Sequence, residues 1–241
     1  MLFLHMKIRY LVTDIDGTIT DASRRIDTRV IEVIRRLMSM GIEVILASGN
    51  CFCIVKGLSY YLGCSRTVIA ENGGILYHNK KMHILGDPEI ARKARDVIIN
   101  EMSDLLVESW QNKYRYVDFA FKPKSNDVPR EEIVRRGRSL LEEKGINAFF
   151  EDSGVAFHVS SKNVSKGNAV LKLCELTNTS IDEVVCIGDG ETDISMLEVC
   201  PNSVALAHAP QYVKIYAKYV TTKPYSEGFL EAVKKIIGLS I

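Results

Sequence analysis

Apolar runs alternate with amphipathic stretches in the first 84 residues of the chain. Three apolar runs have the length of strands and end at polar or glycine residues: 8–13, 42–47 and 67–70. The stretches between them carry apolar residues at helical spacing, which predicts helices over 27–40 and 52–62. Strands that alternate with helices in this way predict a parallel sheet covered on both faces, and a hairpin over 75–84 follows it.

The pattern changes between residues 84 and 160. The elements predicted there are, in chain order, a helix over 88–106, a strand over 114–121, a helix over 129–144, and strands over 147–151 and 155–160. The turn signal Asp152-Ser153-Gly154 separates the last two strands. This order predicts a small α+β unit inserted into the α/β chain.

The first pattern resumes at Ser165. It predicts helices over 165–176, 194–199 and 229–237, and strands over 184–187, 203–206 and 219–221. The fold class that follows is α/β. We expect a doubly wound parallel-sheet core, Rossmann-like, over residues 1–83 and 161–241, with the inserted α+β unit over 84–160.

The composition of the 241 residues narrows the class of protein. The 31 basic and 30 acidic residues leave a net charge of +1, so no overall field attracts nucleic acid. No apolar run reaches the ~18 residues that indicate a membrane span. The six cysteines form no CxxC pair, which favours a reduced, cytoplasmic protein. The sequence does not distinguish between a monomer and a homodimer as the oligomeric state.

The first residues do not have the pattern of a leader. The stretch from Met1 to His5 is too short for a signal sequence, and Met6 stands just before the first strand. We therefore expect the residues before Met6 to be dispensable.

Asp14 and Asp16 end the first apolar run and precede Gly17. Because a strand alternates its faces, acids at positions i and i+2 project to the same side. Gly17 then allows a sharp turn of the backbone. Burying a charge without a partner is costly, so the pair predicts a bound cation or a reaction that needs two carboxylates.

Polar residues also follow the other predicted strands. In chain order these residues are Asp14 and Asp16, Ser48 and Asn50, Asn72, then Asp189 and Asp193. Ligands of open α/β sheets bind beyond the carboxyl ends of the strands, which favours a single site. Two carboxylates 4 Å apart repel by ~4 kcal/mol at an effective dielectric near 20, so this edge needs a cation. Oxygen ligands favour Mg²⁺.

Lys166 stands at the start of the helix that Ser165 caps. The helix dipole disfavours a cation there by about 0.3–1 kcal/mol, whereas it favours an anion. A metal beside carboxylates, with a lysine, a serine and backbone amides, is typical of phosphoryl transfer. One carboxylate can then act as nucleophile and the other as general acid and base.

These motifs resemble, in their order, those of the haloacid dehalogenase superfamily of phosphatases. They are Asp14-Ile15-Asp16-Gly17-Thr18, Ser48, Lys166, and Gly188-Asp189 with Asp193. Ser48-Gly49-Asn50 and Glu71-Asn72-Gly73-Gly74 resemble the Cof-type branch, whose α/β cap lies between the second and third motifs. The length and the small cap are similar to archaeal phosphoglycolate phosphatases. The chain departs from the branch at Asn50 and Thr192, where many members carry Arg and Asn.

The resemblance implies a role for each matched residue. Asp14 would be the nucleophile and a Mg²⁺ ligand, and Asp16 the general acid/base, with its backbone carbonyl on the metal. Asp189 would complete the metal site, with Asp193 bound directly or through water. The substrate-binding residues would be Thr18, Ser48, Gly49, Asn50 and Lys166.

The function predicted in this way is a Mg²⁺-dependent phosphatase of a small phosphorylated metabolite, with 2-phosphoglycolate as the best guess. An alternative is a sugar phosphate phosphatase or a phosphomutase, in which the phosphorylated aspartate passes its phosphate to a sugar. A receiver-like signalling module is a third interpretation, which Asp16 and the inserted unit disfavour. We expect no nucleic-acid or membrane partner.

Overall fold

The computed structural model describes residues 8–238, and its secondary structure alternates strands and helices at both ends of the chain. In chain order the strands and α-helices are β1 (Tyr10–Thr13), α1 (Thr28–Ser39), β2 (Glu43–Ala47), α2 (Phe52–Leu62), β3 (Val68–Ala70), β4 (Ile75–His78), β5 (Lys81–Ile84), α3 (Pro88–Glu101), β6 (Leu106–Glu108), β7 (Asp118–Pro123), α4 (Arg130–Glu143), β8 (Ala148–Asp152), β9 (Phe157–Ser161), α5 (Lys166–Thr177), β10 (Val184–Gly188), α6 (Ile194–Val199), β11 (Asn202–Ala205), α7 (Gln211–Lys214), β12 (Tyr219–Val220) and α8 (Tyr225–Ile237).

The strands form two sheets. The larger has eight strands in the order β12-β11-β10-β1-β2-β3-β4-β5, and its first six strands pair in parallel. The smaller has four antiparallel strands in the order β6-β7-β9-β8. The α/β class with a mainly parallel sheet is thereby confirmed.

Alternate residues of the larger sheet enter two separate apolar cores. In β1, Leu11 packs with residues of α1, α2 and α8, whereas Tyr10 and Val12 pack with residues of α5 and α6. Both faces are therefore covered, which explains why its strands read as continuous apolar runs. The smaller sheet packs against α3 and α4 around a third core, centred on Phe121 and Phe150.

We call β6–β9 with α3 and α4 the smaller unit, and the rest the larger unit. The smaller unit occupies the segment predicted as the insertion, with β9 running to Ser161. The boundaries of the two predicted domains stay a prediction. The expectation about Met1–His5 and Met6 lies outside the described residues. Within residues 8–238, no helix combines the length and apolarity needed to cross a bilayer.

Two predicted elements of the smaller unit have different bounds in the structure. The helix expected over 88–106 stops at Glu101, because Leu106 pairs with Pro123 at the start of β6. The strand expected over 114–121 begins only at Asp118, since a 3₁₀ helix, Trp110–Tyr114, precedes it. Pairing with β7 overrode the local periodicity in the first case, and the 3₁₀ helix did so in the second.

The turn after β3 packs directly on the start of α5. Gly73 lies there with a φ of +98°, and a Cβ at this position would overlap the carbonyl of Ser165, the N-cap of α5. The turn therefore needs glycine for its backbone conformation and for this close approach.

Replacing Gly73 with alanine should destabilise the protein more than the same change at Gly41. Gly41 also has a positive φ, +83°, but nothing lies within 4 Å of the position of its missing Cβ. We expect Gly41→Ala to cost about 1–2 kcal/mol from the backbone conformation, and Gly73→Ala about 1–3 kcal/mol more from the overlap. Thermal unfolding measures both variants, and equal losses would contradict the packing role of Gly73.

Candidate active site

The carboxyl ends of β1, β2, β3 and β10 meet at one edge of the larger sheet, where these strands are neighbours. A cavity of about 200 Å³ lies there between the two units. The sequence-predicted residues that line it are Asp14, Asp16, Ser48, Gly49, Asn50, Asn72, Asp189 and Asp193. The polar residues that follow four separate strands thus face one space.

Lys166 forms the centre of the charged cluster beneath this cavity. Its Nζ donates to Asp14 Oδ1 at 2.5 Å and to Asp193 Oδ1 at 2.6 Å. The lysine is 1% exposed although it begins a helix. The ammonium therefore compensates two carboxylates away from water, where an unpaired charge would be costly.

Burial raises the pKa of Asp14 well above its ordinary value, and the carboxylates of Asp193 and Asp189 act in the same direction. The ammonium of Lys166 opposes this shift. Burial alone would lower the pKa of Lys166, but Asp14 and Asp193 outweigh it and raise that pKa. One lysine thus offsets only part of the negative charge at this edge.

Asp189 and Asp193 are held by the turn after β10. Asp193 Oδ2 accepts the backbone N–H groups of Asp189 and Gly190, both at 2.9 Å. Asp189 Oδ1 accepts the hydroxyl of Thr18 at 2.5 Å, and its Oδ2 lies 3.2 Å from Nε2 of His208. These bonds fix the direction of each carboxylate before any ligand binds.

Three carboxylates converge closely enough to hold one metal ion. Asp14, Asp189 and Asp193 each offer an oxygen, and these atoms lie within 4.8 Å of one another. A set made only of carboxylate oxygens suits a hard cation. Among the described residues, the carboxylate of Asp16 is not part of this group, and its Oδ2 instead accepts from Nδ2 of Asn50 at 3.1 Å.

Gly17 makes the approach of the two acidic turns possible. Its φ is +90°, and a Cβ there would overlap the carboxylate of Asp189. The glycine after Asp16 therefore provides both the turn and the room for Asp189.

The loop after β2 carries Ser48, Gly49 and Asn50 into the cavity. Ser48 Oγ accepts from the backbone N–H of Asn50 at 3.1 Å and from its Nδ2 at 3.0 Å. Thr18 and Lys166, which were predicted to bind substrate, do not appear on the cavity wall within residues 8–238. Both lie beneath it, paired with the carboxylates, and their substrate contacts stay a prediction.

The smaller unit supplies the opposite wall, which sequence reasoning did not assign residue by residue. Its lining residues include Gln111, Arg115, Lys122, Ser153 and His158. The predicted turn 152–154 does reach the cavity through Ser153. The 3₁₀ helix carrying Gln111 has no periodic signal, and the sequence offers none that pairs it with the loop after β2.

A buried network joins the two units beside the cavity. Asp118 accepts from Arg115 Nη1 at 2.8 Å and from Asn72 Nδ2 at 2.9 Å, and lies 2.7 Å from Nδ1 of His158. Burial would raise the pKa of Asp118, but His158, Arg115 and Asn72 together lower it. The carboxylate is thus stabilised as an anion by groups from both units.

The chain is similar to named proteins over nearly its whole length. The chain matches the family model of haloacid dehalogenase-like hydrolases over residues 11–133 and 124–233. It is 38% identical over 232 residues to a phosphoglycolate phosphatase of Methanoculleus marisnigri, covering 95% of this chain and 96% of the relative. It is 31% identical to one from Methanothermobacter thermautotrophicus, with 96% and 100% covered.

Solved structures share the fold. Thermoplasma acidophilum 0175 superposes with a TM-score of 0.83 at 29% identity, covering 98% of this chain and 100% of that chain. A haloacid dehalogenase-like hydrolase from B. subtilis gives a TM-score of 0.76 at 18% identity, with 95% and 99% covered, which concerns the fold alone.

Removing the Lys166 ammonium should destabilise the protein far more than removing a lysine on the surface of the same helix. Lys166→Met leaves Asp14 and Asp193 buried without their cation, at an expected cost of about 3–5 kcal/mol. The control is Lys172→Met, which breaks only a surface pair with Glu175 and should cost less than about 1 kcal/mol. Urea denaturation measures both, and similar losses would contradict the buried pairing.

Proposed function

The chain belongs to the haloacid dehalogenase-like hydrolases, and from this membership we propose the reaction of its site. The protein is a phosphatase, that is, a phosphoric monoester hydrolase. We propose that it hydrolyses a small phosphorylated metabolite, with 2-phosphoglycolate as the best candidate, in a Mg²⁺-dependent reaction through an aspartyl-phosphate. The observation that carries the proposal is the buried Asp14 at the floor of the cavity, paired with Lys166 and grouped with Asp189 and Asp193.

The chain's own residues supply the steps. A carboxylate oxygen of Asp14 attacks the phosphorus atom, and the bond to the leaving oxygen breaks. Asp16 donates a proton to that oxygen, then accepts a proton from the water that attacks the aspartyl-phosphate. This second step releases inorganic phosphate and restores Asp14. Ser48 and Lys166 would hold the phosphoryl group through their hydroxyl and ammonium donors.

Asp14, Asp189 and Asp193 would hold the magnesium ion, with the backbone carbonyl of Asp16 as a further ligand. The fit rests on the all-oxygen donor set and on the negative charge that one lysine leaves uncompensated. When bound, the ion would neutralise negative charge on the phosphoryl oxygens.

Two features of the cavity support a small substrate with a second negative charge. Its volume of about 200 Å³ is below the roughly 300–1,000 Å³ of pockets for drug-sized ligands. Lys122 and Arg24 line it, and within residues 8–238 neither side chain has a hydrogen-bond or ion-pair partner. The carboxylate of 2-phosphoglycolate would complement them, and relatives at 30–38% identity bear the name of that activity.

Asp14→Asn should lower turnover on the order of 10³-fold or more, because the amide keeps the shape but not the attacking charge. Steady-state hydrolysis of p-nitrophenyl phosphate with Mg²⁺ measures the loss. Asp104→Asn, an exposed change away from the cavity, is the control and should match the wild type.

EDTA should abolish wild-type activity and Mg²⁺ restore it. Full activity in chelator, or in Asp14→Asn, would refute the mechanism.

Lys122→Met should weaken selection for a carboxylate on the leaving group. We expect the kcat/KM for 2-phosphoglycolate to fall about tenfold, equivalent to about 1.4 kcal/mol. The kcat/KM for 2-hydroxyethyl phosphate, which has the same length without the carboxylate, should change little. Lys124→Met removes an exposed lysine two residues away that does not line the cavity, and serves as the control. Equal losses on both substrates would favour an uncharged leaving group such as a sugar.

A further inference from the structure

Gln111 of the smaller unit reaches across the cavity edge to the loop that carries Asn50. It lies in the 3₁₀ helix Trp110–Tyr114, and its Nε2 donates to Asn50 Oδ1 at 2.8 Å. Asn50 in turn donates from Nδ2 to Asp16 Oδ2 at 3.1 Å. A continuous chain of side-chain hydrogen bonds thus connects the smaller unit to the carboxylate proposed as the general acid.

The donors around Gln111 determine how the side-chain amides of Gln111 and Asn50 are oriented. Gln111 Oε1 accepts the backbone N–H of Cys51 at 2.9 Å and Nη2 of Arg115 at 3.2 Å. Neither group can accept a hydrogen bond, so this end of the amide must be its oxygen. The Nε2 end therefore faces Asn50, which must present Oδ1 to it and turn its own NH₂ group towards Asp16.

The loop after β2 has contacts of its own within the larger unit. The backbone N–H of Glu71 donates to the carbonyl of Asn50 at 3.0 Å, and that of Asn72 to the carbonyl of Ser48 at 3.1 Å. These contacts hold the main chain of the loop and do not set the rotation of the Asn50 amide. Asn50 Nδ2 also donates to Ser48 Oγ, but a hydroxyl can donate or accept and so cannot by itself set the orientation.

We propose that Gln111 is a positioning residue, which sets the amide of Asn50 so that its NH₂ group holds the carboxylate of Asp16 for protonation of the leaving oxygen. The proposal rests on the proposed role of Asp16. Any displacement of the smaller unit that separates Gln111 from Asn50 releases Asn50 to rotate. The general acid is therefore fully arranged only while the smaller unit lies over the acidic edge.

Two variants of Gln111 test this orientation in different ways. Gln111→Glu keeps acceptors for Cys51 and Arg115 but presents an acceptor to Asn50 as well. The new carboxylate then competes with Asp16 for the NH₂ group of Asn50, so the donor that held Asp16 is no longer directed to it alone. Gln111→Leu removes both polar ends and adds no charge, which separates orientation from the effect of the extra negative charge. Lys113→Gln, on the same 3₁₀ helix, makes the same change in net charge as Gln111→Glu and is the control.

The readout is kcat/KM for a poor and a good leaving group, 2-phosphoglycolate and p-nitrophenyl phosphate, with Mg²⁺. This constant reports the steps up to release of the leaving group, where Asp16 acts as an acid. Both Gln111 variants should lose about tenfold or more on 2-phosphoglycolate and stay within about twofold on p-nitrophenyl phosphate, which needs little protonation. In an Asn50→Ala background, Gln111→Leu should cause no further loss on 2-phosphoglycolate.

The kinetic results separate a positioning role of Gln111 from a purely structural role and from failure of the proposed function. Equal losses on both substrates with a lowered melting temperature would show that Gln111 only stabilises the contact between the units. No loss on either substrate, or losses that add fully to those of Asn50→Ala, would overturn the positioning role. A wild-type protein that turns over neither substrate would instead overturn the proposed function, and this inference with it.

Discussion

The structure depends on one electrostatic constraint, the convergence of buried carboxylates at a single edge of a parallel sheet. Asp14 and Asp189 follow β1 and β10, which are adjacent and parallel, so their carboxyl ends cannot avoid each other. Lys166 from α5 relieves part of the repulsion. The position of α5 depends in turn on the turn after β3, since Gly73 packs against its N-cap. The negative charge that Lys166 leaves uncompensated therefore favours a bound cation at this edge.

The turn after β3 also connects the edge to the smaller unit. Glu71 Oε2 accepts the backbone N–H groups of Tyr116, Val117 and Asp118, and Asn72 donates to Asp118. Burial raises the pKa of Glu71, so these donors matter for keeping it ionised. Glu71 and Asn72 both have a φ of 52°, a left-handed conformation that is costly for Glu71 and less so for Asn72. The backbone strain is retained where two consecutive side chains must point at the same strand of the neighbouring unit.

Much of the larger unit followed from local pattern, because its strands are apolar runs and its helices have caps that can be read. Ser165 caps α5 as predicted, and Asp27 caps α1 at the start of the helix predicted over 27–40. The co-location of Asp14, Ser48 and Asp189 followed from a general property of parallel sheets. The wall made by the smaller unit could not be predicted in this way, because it depends on pairing over long sequence distances. Nothing local distinguishes Gln111, which is 61 residues from Asn50, or shows that Glu71 accepts the backbone N–H groups at the start of β7.

The presence of Asn50, where many members of the Cof-type branch that this chain resembles carry Arg, explains why Gln111 and the cavity's charged residues matter here. An Arg side chain is always charged and its guanidinium has only donors, so it needs no partner to set which end faces Asp16. A neutral amide has a donor end and an acceptor end, and it is useful to Asp16 only when one of them is chosen. Here Gln111 makes that choice, and its own orientation is set by Cys51 and Arg115. The positive charge that Arg would bring is absent from the loop, while Lys122 and Arg24 stand unpaired elsewhere on the described cavity wall. In the proposed mechanism, recognition of substrate charge and positioning of the general acid are thus divided between different residues.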